Sequence, residues 1–232
     1  MTLPSLMQSM WWTGLTLACY GVALGLRKLA RDNALANPAL LTILLVAMVL
    51  LASHTPYATY FRATWVITFL LGPATIALGI PLAKNFARVR ENRLGVGLGL
   101  LAGSLTSMLC GVLLVHLFGG SKELAMAMLP KAATTPIAMA VATQIGGQPA
   151  LAATLAIVGG IIAAVTVQAV LAFVKVTDGH AVGLAAGTGG SGIASAHVAR
   201  LSDGHAAFAA LGIGLNGLLT ALLAPVLAAY LK

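Results

Sequence analysis

The sequence predicts an all-α, polytopic membrane bundle with the two-repeat, broken-helix architecture of a transporter. Its first support is composition: 59% of the 232 residues are apolar and 8% are charged, with a mean hydropathy of +0.98, whereas soluble domains carry about 25% charge. Its second is length, because the apolar residues fall into runs near the roughly 20 needed for one crossing. Its third is internal similarity between the two halves of the chain, set out below.

Eight hydrophobic segments follow one another at 8–26, 38–54, 63–83, 94–118, 124–145, 149–174, 181–199 and 206–231. The second is short, and the seventh holds Gly183, Gly187, Gly189, Gly190 and Gly192, more glycine than an uninterrupted helix favours. Either is expected to be re-entrant or a pair of half-helices. Residues 1–8 lack a basic stretch and a small-residue cleavage site, so the first segment is expected to stay in the membrane. Arg27, Lys28 and Arg31 follow the first segment, and Lys84, Arg88, Arg90 and Arg93 follow the third. Two crossings separate these clusters, so both are expected in the cytoplasm, with the N-terminus outside. Lys175, Arg200 and Lys232 are too scattered to orient the second half.

A net charge of +8 suggests nucleic acid only when the basic residues form one footprint, and here they flank apolar runs. Cys19 and Cys110 lie inside such runs and read as small hydrophobes rather than a disulfide or metal pair. The five histidines show no ligand spacing, and no nucleophile, base and orienting group recur at a known spacing. No catalytic residue, metal or cofactor is therefore expected.

Asn37-Pro38-Ala39-Leu40 is echoed by Gln148-Pro149-Ala150-Leu151, and Leu94-Gly95-Val96-Gly97-Leu98 by Leu211-Gly212-Ile213-Gly214-Leu215. Residues 72–77 align with residues 189–194 at the second of these offsets, pairing two expected helix breaks. These matches predict one membrane domain, 1–232, made of repeats 1–118 and 119–232. Transporters of that kind hold substrate at helix ends near the midplane. Whether the repeats are inverted or parallel stays open.

Lys131 is the most informative residue. It lies in the apolar run 124–145, within Leu129-Pro130-Lys131-Ala132-Ala133-Thr134-Thr135-Pro136, where a cation is costly and marks a functional site by default. Pro130 and Pro136 each remove a backbone donor, so the helix is expected to break there. Gly72, Pro73 and Pro81 are expected to break an earlier one. Substrate contacts are expected from Lys131, Thr134 and Thr135, from Thr188, Gly189, Gly190 and Ser191, and from His197 and Asn216. Glycine admits close backbone approach, and half-helix N-termini attract anions. The competing reading has Lys131 snorkelling to the interface and the glycines serving only helix packing. Asp32, Glu91, Glu123, Asp178 and Asp203 all fall at loops or segment ends, which disfavours a cation antiporter; Lys131 together with half-helix N–H groups suits a carboxylate ligand instead.

Three stretches, residues 72–82, 129–138 and 215–221, resemble the LrgB/CidB family, most specifically through Pro130-Lys131 followed by Thr134-Thr135-Pro136-Ile137-Ala138. The resemblance spans nearly the whole chain and is clearest from about residue 60. Ala140 and Thr143 depart from it, standing where relatives carry the acids of a Met-Glu-Val-Ser-Glu stretch, which weakens any ion-coupling role there. The family implies a multi-pass protein of the bacterial inner membrane, partnered by the lipid bilayer and a small LrgA/CidA-type membrane protein, with self-association left open and no nucleic acid. It implies two activities. One is transport of glycolate, glycerate, pyruvate or lactate; the alternative is an antiholin-like control of murein hydrolase activity and autolysis.

Overall fold

Apolar runs punctuated by proline and glycine become, in the computed structural model, ten α-helices among the described residues, which are 5–30, 38–77, 83, 90 and 92–231. The chain divides into two compact units, Met1–Ala74 and Thr75–Lys232. The division does not follow the 118/119 boundary of the sequence repeats.

In the first unit, α1 (Leu6–Leu29) opens on Ser5, whose hydroxyl accepts the Gln8 N–H, a standard N-cap. It packs on α2 (Pro38–Ala52). Trp12 is buried edge-on against Tyr60 of α3 (Tyr57–Ala63) at 5.7 Å, and the Thr16 and Tyr60 hydroxyls are 3.0 Å apart. The second hydrophobic segment does not run straight into its neighbour, since α2 and α3 meet at 120°. α4 (Trp65–Ala77) continues through Pro73. The helix break expected at Gly72 and Pro73 is therefore absent. A proline inside a membrane helix is tolerated when neighbouring groups satisfy the backbone it frees. Pro81 lies outside the described residues.

In the second unit, α5 (Arg93–Leu117), α8 (Pro149–Phe173) and α10 (Asp203–Tyr230) are each long and apolar enough to cross a membrane. Between them lie α6 (Lys122–Met128), α7 (Thr135–Ile145) and α9 (Gly179–Val198). The packing contacts give their directions. A Cβ built on Gly120 would meet both Val115 and Leu124, and one on Gly111 would meet Met128, so α6 runs antiparallel to α5. α7 turns back: Gly147, just beyond it, lies against Met126 and Ala127, and Ile137 reaches Gly217 of α10. The segment 122–147 is thus a hairpin whose tip is the non-helical stretch 129–134.

α9 is a second hairpin. Gly179 and Gly183 lie against His205, and Gly187 against Ala209 and Gly212, so its first part runs parallel to α10 from the same end. A straight 20-residue helix would climb about 30 Å, and the four residues 199–202 span at most roughly 14 Å, too little to return the chain to His205. The reversal occurs at Ser191, whose φ of 52° and ψ of −144° interrupt the helix. Ala194 and Val198 then pack with Val182 and Ala186 in one cluster against α8.

Candidate functional site

The two tips meet the long helices at mid-length. α5 has its midpoint at Leu105, α8 at Ile161, and α10 between Asn216 and Gly217. Lys131, in the first tip, reaches Ser107. Thr188, near the second tip, has its Cγ2 3.0 Å from where a Gly103 Cβ would be. Gly190 faces Gly160 and Ala163 of α8. The hairpins approach from opposite ends of α5, because α6 descends from its C-terminal end while Leu184 and Thr188 climb beside Gly99 and Gly103 from its N-terminal end. Their tips come to rest one turn apart on α5, about 6 Å along its axis.

The chemistry concentrates at the first tip. Lys131 Nζ donates to the Ser107 carbonyl and to Ser107 Oγ, both at 2.7 Å. An ammonium has three N–H donors, so one remains. The lysine fits because residue 111 is glycine: a Cβ there would lie 3.3 Å from both Cε and Nζ. The competing snorkelling reading does not match this geometry, since the side chain turns onto the middle of α5. Ala132 and Ala133 beside it are buried, and the carbonyl of Ala132 accepts a 3.0 Å hydrogen bond from Asn216 Nδ2. Asn216 Oδ1 accepts from Ser104 Oγ. Asn216 is only 1% exposed with both ends of its amide engaged, which makes it a clamp on the tip rather than a presented contact. Thr134 is the N-cap of α7 in extended geometry but makes no capping bond, and its Oγ1 is buried without a partner. Thr135 opens α7, with Pro136 in its first turn, where a missing N–H costs nothing.

The second tip is differently made. Thr188 Oγ1 donates to Leu184 O at 2.8 Å and Ser195 Oγ to Ser191 O at 2.6 Å, so both hydroxyls serve their own segment. Gly190 and Ser191 are buried and Gly189 is exposed with open space at its Cβ position. His197 is partly buried three residues from Arg200, farther along the returning half. Of the residues expected to bind substrate, the structure groups Lys131, Thr134, Thr135 and Asn216 at one tip and Thr188, Gly189, Gly190 and Ser191 at the other.

Ser104 and Ser107 are not among the residues the sequence singles out. Their signal was present: Ser104, Ser107 and Gly111 recur at spacings of three and four on an otherwise leucine-rich helix, which places them on one face.

The LrgB-like family matches residues 16–230. The chain belongs to this family. It is 31% identical over 177 residues to an uncharacterized protein of Haemophilus influenzae, covering 76% of each chain. It is 27% identical over 195 residues to YwbG of Bacillus subtilis, covering 84% of this chain and 87% of that one. It is 29% identical over 181 residues to the antiholin-like protein LrgB of Bacillus cereus, covering 78% and 79%. No solved structure matches. Family and helices together make this a polytopic membrane protein.

Proposed function

We propose that this LrgB-like chain is a carrier of small monocarboxylates, such as glycolate, glycerate, pyruvate or lactate, in the bacterial inner membrane. The observation that carries this reading is the unspent Lys131 donor, held by Ser107 midway along a membrane-length helix. The cation is half-buried, and a single carboxylate neutralises it. The uncapped start of α7 and the unpartnered Thr134 hydroxyl add donors at the same tip, with the helix dipole favouring the same charge. The second tip closes the site with glycine backbone. Two hairpins entering from opposite ends suit alternating access, in which one tip withdraws while the other stays seated. In this scheme both hairpins belong to residues 119–232, so the moving parts need not be the two sequence repeats.

Orientation follows from the same fold. Arg93, Lys175 and Arg200 gather at the end of the second unit where α5 and α10 begin, which the positive-inside rule assigns to the cytoplasm. An LrgA/CidA-type protein is the partner in this scheme.

Labelled glycolate and pyruvate are offered to proteoliposomes containing the chain, with and without that partner. Saturable uptake that Lys131→Gln reduces at least tenfold supports the carrier, and uptake unchanged in a membrane-inserted Lys131→Gln protein removes the lysine from the site. The antiholin-like LrgB relatives of Bacillus cereus favour a second reading, an antiholin-like modulator of lysis. Dye leakage that ignores substrate identity, without uptake, would select it.

A further inference from the structure

Ser107 departs from most hydroxyls on the helices of the second unit whose bonds are described, as does Ser104, which donates to Asn216. Thr143, Thr154, Thr166, Thr188 and Ser195 each donate to the carbonyl four residues back, the usual fate of a hydroxyl in an apolar helix. Ser107 makes no such bond to Gly103 among the described residues. Its Oγ instead accepts from Lys131 Nζ. A hydroxyl carries one hydrogen and two acceptor lone pairs, so accepting from the lysine leaves that hydrogen to point away from Nζ. Around the first tip, three hydrogens then lack an acceptor: the third on Lys131, the one on Ser107, and the one on Thr134, whose Oγ1 is buried and unpartnered.

We infer that Ser107 is a further substrate-binding residue, donating its hydroxyl hydrogen to the same anion that Lys131 attracts. The inference rests on the carboxylate reading above. Two donors 2.7 Å apart suit the two oxygens of one carboxylate, one oxygen taking the ammonium N–H and the other the hydroxyl. Both bonds involve a charged partner and are the stronger for it. A neutral polyol would use the hydroxyls but leave the ammonium without a counter-charge, so the pair selects acids over their amides and alcohols. The backbone carbonyl of residue 107 also holds Lys131, which means that removing the hydroxyl leaves the lysine one of its two anchors.

The test is concentration-dependent uptake of labelled glycolate by wild type, Ser107→Ala and Ser107→Thr in proteoliposomes, normalised to monodisperse protein in detergent, with unlabelled glycolate and glycolamide as competitors. A lost hydrogen bond to a charged group corresponds to about tenfold or more. The expected result is a tenfold rise in KM for Ser107→Ala, a near-normal KM for Ser107→Thr, and a maximal rate within about twofold throughout. Glycolate should also lose its advantage over glycolamide in the alanine variant. An unchanged KM in Ser107→Ala, or equal losses in both variants, would overturn the role of Ser107 while leaving Lys131 in place. Absence of carboxylate uptake by wild type would overturn the carboxylate reading itself, and this inference with it.

Discussion

The two hairpins of the second unit solve the same problem with opposite chemistry. Each brings the backbone to the middle of helices long enough to cross a membrane and must satisfy the groups that the turn frees, which lipid cannot do. The α6–α7 hairpin uses side chains: Asn216 takes the Ala132 carbonyl, and Lys131 is anchored twice on Ser107. The α9 hairpin uses the absence of side chains. Gly183 and Gly187 let its backbone touch that of α10, and Gly190 sits against Gly160, while Thr188 and Ser195 bond within the segment. The difference teaches where ligand chemistry can reside. A tip tied by polar side chains keeps donors to offer, whereas a tip seated on glycine offers shape and backbone.

The largest expected effect concerns the directions of entry. With Cys19 and Cys110 replaced by alanine, single cysteines at Ser121 and Ser202 should react with impermeant maleimide from opposite faces of oriented vesicles. Labelling of both from one face would abolish the opposed-hairpin arrangement.

Glycine substitutions sharpen the contrast at the second tip. A Cβ on Gly187 would collide with the Ala209 carbonyl and approach Gly212 Cα at 2.9 Å, whereas one on Gly189 meets nothing within 4 Å. Backbone cannot move aside cheaply, so Gly187→Ala should cost about 3 kcal/mol, the upper end for overpacking. Gly189→Ala should stay within ~0.5 kcal/mol. Thermal unfolding in detergent compares the pair, and equal midpoints would mean that the glycines do not seat the hairpin.

At the first tip, Asn216→Leu strands the Ala132 carbonyl and the Ser104 hydroxyl. It should cost about 2 kcal/mol, as expected when buried polar groups lose their partner. The same thermal measurement reads it, and labelling of a cysteine at Ala133 should rise as the tip loosens. A leucine variant as stable as wild type would show that Asn216 is no clamp.

Much of this was legible without coordinates. Composition and run length identify a membrane bundle, and all eight hydrophobic segments contain helix. Pro130, Lys131 and Pro136 announce an interruption, because two missing backbone donors weaken the helix at the same place where a cation must be solvated by something other than lipid. The glycines of residues 183–192 announce another. The expectation fails at Gly72 and Pro73, where a glycine adjoins a proline but no cation is present, and α4 continues. Proline removes one backbone donor wherever it stands in a helix, and the surroundings decide whether the helix breaks.

The sequence by itself determined that the chain lives in a membrane, where most of its helical segments lie although not α3 or the split of 124–145 into two helices, and that Lys131 is out of place among apolar residues. These depend on composition and local period, which neighbours in the chain carry. Only the tertiary structure decided that 122–147 and α9 are hairpins entering from opposite ends, that Ser107 receives the lysine, and that Asn216 braces the tip 84 residues away from it in sequence. It also brought Lys175 and Arg200, too scattered in sequence to orient the second half, to the end where Arg93 opens α5. A serine or glycine in a long apolar helix has no local mark of its role. Its meaning is set by which segment packs opposite, and that is a property of the fold.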